Sequence, residues 1–199
     1  MIQFIRHRQN YERVFNMLLS GYLLAYLIYL VDHHAEEMRA FRKIYPIVGQ
    51  HIVDIINTGK GIIHNMANVQ NINEIADYPD EKTVFQIFDN LKLGDRTAPM
   101  VDSKNLKKLT WIEYISYVNL YNGQNIMAIF FFEKYIDAEL MAILSKIRGC
   151  FFMSIFDNPI IDRMKNDGGN FAFMYEEYLD LIHQLDDYYK KHIALFSKI

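Results

Sequence analysis

The chain has 199 residues, a formal net charge of −3 and a pI near 6.2. That balance argues against nucleic-acid binding as its main task, which leaves a basic surface. Hydrophobic residues make up 51% of the chain and aromatics 15%, with only four prolines and nine glycines, so a disordered chain is excluded and long helices are favoured over many short strands.

Met1 to Arg13 places Ile2, Phe4 and Ile5 ahead of a basic cluster of Arg6, Arg8 and Arg13. It begins the first helix or lies as an amphipathic lead-in at a membrane surface. The next stretch, Val14 to Val31, carries no Asp, Glu, Lys, Arg or His. As a helix its 18 residues span roughly 27 Å, just enough for a hydrocarbon core. Tyr22, Tyr26 and Tyr29 recur on one side of that helix. Gly21 and Ala25 form a small-xxx-small step on another, which lets a second helix approach closely. Two settings fit this segment. In the first it is a single-pass membrane anchor that self-associates through Gly21, Ala25, Tyr22, Tyr26 and Tyr29. In the second it is the buried central helix of a soluble all-α domain, apolar on every side, with its aromatic stripe packed against Trp111 or the last helix. Arginine and lysine flank the segment equally, so orientation rests on the lone Cys150, which forms no internal disulfide and points to a cytoplasmic helical domain.

Beyond Val31, Asp32 caps a new helix or the first one runs on. Met38, Phe41, Tyr45, Val48, Ile52 and Ile55 give an apolar stripe at helical steps. Pro46 is expected to kink or break it, and Asn57-Thr58-Gly59 to end it, with Gly59 just past the last turn. Residues 61–78 are Asn-rich and permit a short helix. Pro79-Asp80-Glu81 reads as a helix start, with Val84, Phe85, Phe88 and Leu91 inward and Gly94 ending it. Asp95 to Leu109 lacks periodicity and reads as a loop. Thr110 and Glu113 match a capping box opening a helix that runs past Gly123 to about Tyr135. Asp137 caps another over Ala138 to Arg148, which Cys150 to Phe156 is expected to continue as far as Asp157-Asn158-Pro159. Asp167-Gly168-Gly169 is a turn, and Asn170 caps a last helix with Met174, Tyr178, Leu181, Leu185, Tyr188 and Ile193 inward.

No run alternates with period two. The expected fold is therefore all-α: a bundle of about six or seven helices with one strongly apolar N-terminal helix, divided into an N-terminal segment 1–31 and a helical domain 32–199. The richness in Ile, Asn, Lys and Tyr fits an AT-rich, bacterial genome.

Few parts for chemistry stand out. His33, His34 and Glu37, with Glu36 between, lie within about one turn and could share a helix face as metal ligands. However, the pattern occurs once and in the reverse order to a di-iron motif. His183 with Asp187 reads as a surface ion pair. Cys150 sits between Arg148 and two phenylalanines, which favours an inert buried thiol. Thr58-Gly59-Lys60-Gly61 lacks phosphate-loop spacing, and Asp167 to Asn170 lacks the later ligands of a calcium loop. Lys104, Lys107 and Lys108 are the compact basic group that could meet an acidic lipid or a phosphorylated ligand. The expectation is thus a membrane-anchored, non-enzymatic helical interaction or effector protein. It needs no cofactor, has a second copy or another protein as partner, and binds no nucleic acid; were the chain a subunit of a hetero-complex, the Met- and Phe-rich region Ile126 to Phe156 would be the partner surface. The alternative is a soluble all-α binding module or enzyme with Val14–Val31 at its centre.

Overall fold

The computed structural model describes the backbone of residues 2–72, 74–104, 106–155 and 168–195. Side chains are described within those ranges from Val14 onward, apart from Glu37 and residues 168–170. The side chains of the basic lead-in, the Asp157-Asn158-Pro159 break, the start of the Asp167 turn and the Asn170 cap lie outside the described residues.

The described residues are all-α. Helices run over Ile2–Val69 (α1), Glu81–Asp89 (α2), Trp111–Phe130 (α3), Ala138–Gly149 (α4), Phe151–Ser154 (α5) and Gly168–Tyr188 (α6). A 3-10 turn lies at Glu133–Tyr135, and a π-helical turn at Tyr189–Ile193 extends α6. An isolated bridge between Val101 and Lys108 is the sole β pairing among them. The chain falls into two compact units, Met1–Lys43 and Ile44–Ile199. The return of charge at Asp32, on which the expected division rests, lies inside the first unit.

Three helix ends follow from local chemistry. Asp80 accepts from the Thr83 amide at 2.9 Å and so becomes the N-cap of α2, which puts Pro79 one residue outside the helix rather than at its first position. Thr110 and Glu113 form the expected capping box, the Thr110 amide donating to Glu113 Oε2 at 2.7 Å. Asp137 accepts from the Leu140 amide at 2.9 Å and opens α4.

Elsewhere packing overrides local signals. α1 continues through Pro46 without breaking. Proline costs about 3 kcal/mol in a helix interior, through a lost amide bond and a clash with the carbonyl four residues back. Here that carbonyl belongs to Arg42, and both Arg42 and Pro46 are exposed, so the unpaired group is not sealed in the core. Nor does Gly59 end the helix. A Cβ there would lie 3.0 Å from Ile182 Cγ1 and 3.2 Å from the Tyr178 hydroxyl, so this glycine is a close-approach point between α1 and α6. The real stop comes ten residues later. The Asn71 amide donates to Asn68 O (3.1 Å) and the Ile72 amide to Ala67 O (3.0 Å), with Asn71 at φ 57°. That is a Schellman closure with asparagine in the place glycine usually takes. The chain also breaks at Cys150, whose ψ of 155° leaves the helix, so α4 is not extended from Cys150 onward, and Phe156 of the expected continuation lies outside the described residues. α3 stops at Phe130, short of Tyr135, and α2 at Asp89, short of Gly94. α6 begins at Gly168, ahead of Asn170.

The core belongs to the second unit. α6 contributes all the residues expected inward, from Met174 to Ile193. Its Tyr175 and Tyr178 meet Phe152 of α5 at 5.3 and 4.9 Å between ring centroids, and Phe88 of α2 adds a tilted ring at 5.4 Å from Tyr175. Trp111 is fully buried and donates its indole N–H to Thr97 at 2.8 Å, which fastens the 95–109 loop to the start of α3.

Candidate functional site

The first candidate surface is the uncharged part of α1. Every residue from Val14 to Val31 is exposed, including fourteen large apolar or aromatic side chains between 42% and 74% exposed. Phe15, Tyr22, Tyr26 and Tyr29, the aromatic stripe of that helix, are 65%, 69%, 50% and 62% exposed. Gly21 and Ala25 are likewise open, with nothing within 4 Å of the position a Cβ would take on Gly21. Among the described residues this is the one helix long and apolar enough to cross a membrane, its best window reaching a mean hydropathy of 1.9.

A polar seam runs through the body between α1, α3 and α6. Asn119, Asn122 and Asn125 are buried at three-residue steps on α3. The Asn122 amide bridges the hydroxyls of Thr58 (2.6 Å) and Tyr178 (2.9 Å), while Asn125 Oδ1 meets His51 Nδ1 at 2.9 Å and the Asn119 amide donates to Phe152 O at 2.8 Å. Nearby, the Tyr175 hydroxyl donates to the Gly59 carbonyl at 2.9 Å, and the Asn65 amide to the Tyr114 hydroxyl at 2.9 Å. Burial pushes the Tyr175 and Tyr178 hydroxyls well above the usual phenol range. They are held protonated in structural bonds, Tyr175 donating to Gly59 and Tyr178 accepting from the Asn122 amide, rather than as bases or nucleophiles.

Two tyrosine–carboxylate clamps close the body. Tyr78 donates to Asp186 Oδ2 at 2.7 Å, and Lys190 reaches the same oxygen at 3.0 Å. Lys60 lies 5.3 Å from the centre of the Tyr78 ring and pairs with Asp77 at 2.8 Å, while His183 stacks on the ring at 4.1 Å. Burial and the Asp186 hydrogen bond drive the Tyr78 hydroxyl far up. Burial alone would raise the Asp186 carboxyl, but Tyr78 and Lys190 carry it below its ordinary value. In the second clamp Tyr188 donates to Asp137 Oδ2 at 2.8 Å, so the α4 cap also anchors the end of α6. Both clamps tie the last helix down, and both hold the phenol as an acid too weak to give up its proton. The expected His183–Asp187 pair is present at 3.8 Å on the exposed side.

The residues singled out for chemistry do not converge. His33 and His34 are exposed on the first unit, His33 stacking on Tyr29 at 5.9 Å, and the side chain of Glu37 lies outside the described residues. Among the described residues no group of three or more His, Cys, Asp and Glu side chains is placed to hold a metal ion. Lys104, Lys107 and Lys108 are exposed on the loop closed by the Val101–Lys108 bridge. Beside them Leu106 is 82% exposed at a left-handed φ of 56°. The Lys104 amide donates to Asp102 at 2.9 Å, and Arg96 donates to the Lys108 carbonyl at 3.0 Å. Cys150 is buried, which raises its thiol pKa.

A cleft of about 650 Å³ lies outside α3, against α4 and α5. Leu120, Met127, Phe131 and Met153 give it an apolar wall, Gly123 its open floor, and Arg148 its charge; Arg148 Nη1 contacts Met127 Sδ at 2.9 Å. The Met- and Phe-rich stretch Ile126 to Phe156, marked in the sequence as a partner surface, supplies more than half of this lining, and Ser116 to Gln124 of α3 supply the part that sequence reading missed. The signal lay in α3 itself, where Leu120, Met127 and Phe131 recur at helical steps away from the buried Asn122 and Asn125. No family model, curated protein or solved structure matches this chain.

Proposed function

We propose that this chain is a membrane-anchored, non-enzymatic interaction or effector protein. In this reading Val14–Val31 crosses the bilayer once and self-associates through Gly21, Ala25 and the Tyr22, Tyr26 and Tyr29 side. A helical bundle on the cytoplasmic side binds a protein partner. The observation that carries it is the exposure of the whole uncharged stretch. Fourteen large side chains bared at about half their area amount to roughly 1,400 Å² of mostly apolar surface, against a few hundred on a typical soluble monomer. At about 25 cal/mol per Å² the cost in water is on the order of 30 kcal/mol, several times the stability of a domain. An oily setting removes that cost. Tyr22, Tyr26 and Tyr29 and the Asn16 and Ser20 side chains favour helix neighbours over bare lipid.

The body supports the non-enzymatic half of the reading. Its buried tyrosines are held protonated and its thiol is shielded, so the groups best placed for acid–base or nucleophilic work are poised away from it. The test is fractionation of the native protein. Retention in membranes through carbonate washing, with release only by detergent, is expected. Recovery of a detergent-free, monodisperse protein in the soluble fraction would overturn the anchor and favour the soluble alternative.

A further inference from the structure

Two polar groups on the wall of the α3 cleft lack a match in the fold. Arg148 is the one charged residue that lines the cleft, and among the described residues its one bonded partner is Met127 Sδ at 2.9 Å. A thioether is a weak acceptor, so a guanidinium suited to gripping an oxyanion with two parallel bonds stands there without a carboxylate. Asn119, also on the wall, is 5% exposed. Its Nδ2 donates to the Phe152 carbonyl at 2.8 Å, while its Oδ1 accepts no bond among the described residues. Buried acceptors are as a rule paired, and an open acceptor on the wall of a cleft is what a donor on a ligand would fill. Shape narrows the ligand further. The cleft follows α3 from Ser116 to Phe131, about 22 Å at the rise of a helix. Its volume of about 650 Å³ over that length gives a mean section of roughly 30 Å², whereas a helix about 10–12 Å across needs about three times as much. The cleft therefore has the width of a chain rather than of a helix.

We propose that the cleft binds a long-chain carboxylic acid with a hydroxyl in mid-chain. The carboxylate pairs with Arg148, the alkyl chain lies along α3, and the hydroxyl donates to Asn119 Oδ1. One guanidinium balances one carboxylate, whereas a phosphate dianion would need a second cation that the lining does not hold. Leu120 and Met153 give the chain an apolar wall, and methionine adapts to a flexible partner. Gly123 leaves room for it, with nothing within 4 Å of a built Cβ. The spacing of the two polar groups sets where the hydroxyl belongs. Met127, which the guanidinium touches, and Asn119 are eight residues apart on α3, about 12 Å along its axis. An extended chain covers that in about ten bonds, at roughly 1.2 Å each. A neutral chain leaves Arg148 unmatched, and an acid without a donor leaves Asn119 as it is.

Photolabelling of the full-length chain tests the site, in whichever native fraction holds it, membrane or soluble. The probe is a long-chain acid with a diazirine in mid-chain, and the labelled residues are mapped by peptide mass spectrometry. Label is expected on α3 between Ser116 and Phe131 and on Met153. Hydroxystearate with its hydroxyl in mid-chain is expected to compete at several-fold lower concentration than stearate, and its methyl ester not to compete. Arg148→Gln should weaken labelling by roughly tenfold or more, as loss of a charged hydrogen bond does. Gly123→Leu fills space that is open in this chain and should abolish labelling, with Trp111 fluorescence unchanged in both variants. Label confined to Val14–Val31, as for an acid merely dissolved in lipid, overturns the site. Label on α3 that survives either substitution overturns it too, as does label that appears only after detergent extraction, which marks a face covered by another protein. Equal competition by stearate overturns the Asn119 contact, and competition by the methyl ester overturns the Arg148 contact. The site does not rest on the anchor: fractionation of the same cells reports on Val14–Val31 separately, and either result there leaves the labelling test intact.

Discussion

Asn122→Leu tests whether the seam between α1, α3 and α6 works as a bonded unit. Asn122 is fully buried, 2.6 Å from the Thr58 hydroxyl and 2.9 Å from that of Tyr178. Leucine fills much the same volume and removes both bonds. Thr58 keeps the Asp54 carbonyl at 2.7 Å, so the orphan is the Tyr178 hydroxyl, itself fully buried. An unpaired buried hydroxyl costs about 1–3 kcal/mol, or a fall of about 2–4 °C in Tm per kcal/mol for a body of this size. Tyr178→Phe orphans the Asn122 amide instead and costs a similar amount. With both changes neither orphan remains, so the double variant is expected to lose about 1–2 kcal/mol less than the sum of the singles. Denaturant unfolding of the detergent-solubilised chain, followed by the fluorescence of Trp111, its single and fully buried tryptophan, measures all three. Costs that add to within about 0.5 kcal/mol would refute the coupling.

Alkaline pH should unfold the body cooperatively. Tyr78, Tyr175, Tyr178 and Tyr188 all have hydroxyls raised above the ordinary phenol value by burial, Tyr78 and Tyr188 also by a carboxylate. Their contribution is therefore complete below about pH 10 and is lost as pH rises through the folded values. Tyrosinate absorbance equal to all fourteen tyrosines, the four buried ones included, reached near pH 10 with circular dichroism unchanged would contradict this. Gly59→Ala should destabilise by about 1–3 kcal/mol through the 3.0 Å approach of Ile182, offset by up to about 1 kcal/mol of helix propensity. Gly21→Ala meets nothing within 4 Å and should leave unfolding of the body unchanged; a stabilised Gly59→Ala protein would show that the helices do not approach there. Cys150 should resist alkylation until the body unfolds, because burial raises its thiol; labelling of the native protein at the rate of a free thiol would show otherwise.

Signals confined to a few neighbouring residues could be read from the sequence. Thr110 with Glu113, Asp80 before Glu81 and Asp137 before Ala138 each name both partners of a bond within four positions, and all three caps form. The inward face of α6 was equally readable, since Met174 to Ile193 follows one helical period. What failed depended on distant partners. Gly59 looks like a helix end unless Ile182 and Tyr178 are known to press against it. Pro46 looks like a break unless the exposure of Arg42 and the long run of buried α1 residues beyond it, from Val48 to Ala67, are known. Of the candidate sites, the exposed apolar helix was legible as composition. The Tyr78–Asp186 clamp was not, because 108 positions separate its halves.

Absence of charge alone does not say what a helix is for, and two stretches of this chain make the point. Val14–Val31 and Tyr114–Phe132 both lack charged residues. The second breaks its apolar run with Asn119, Asn122 and Asn125, each bonded inside the body, and buries Ile115, Val118, Ile126 and Ile129 on the same side. Only its outer seam stays bare. The first stretch buries nothing, spends few polar groups, and bares its whole circumference. A single protein neighbour covers one side of such a helix, whereas lipid covers every side, so it is the number of bare faces, not the lack of charge, that separates the two stretches.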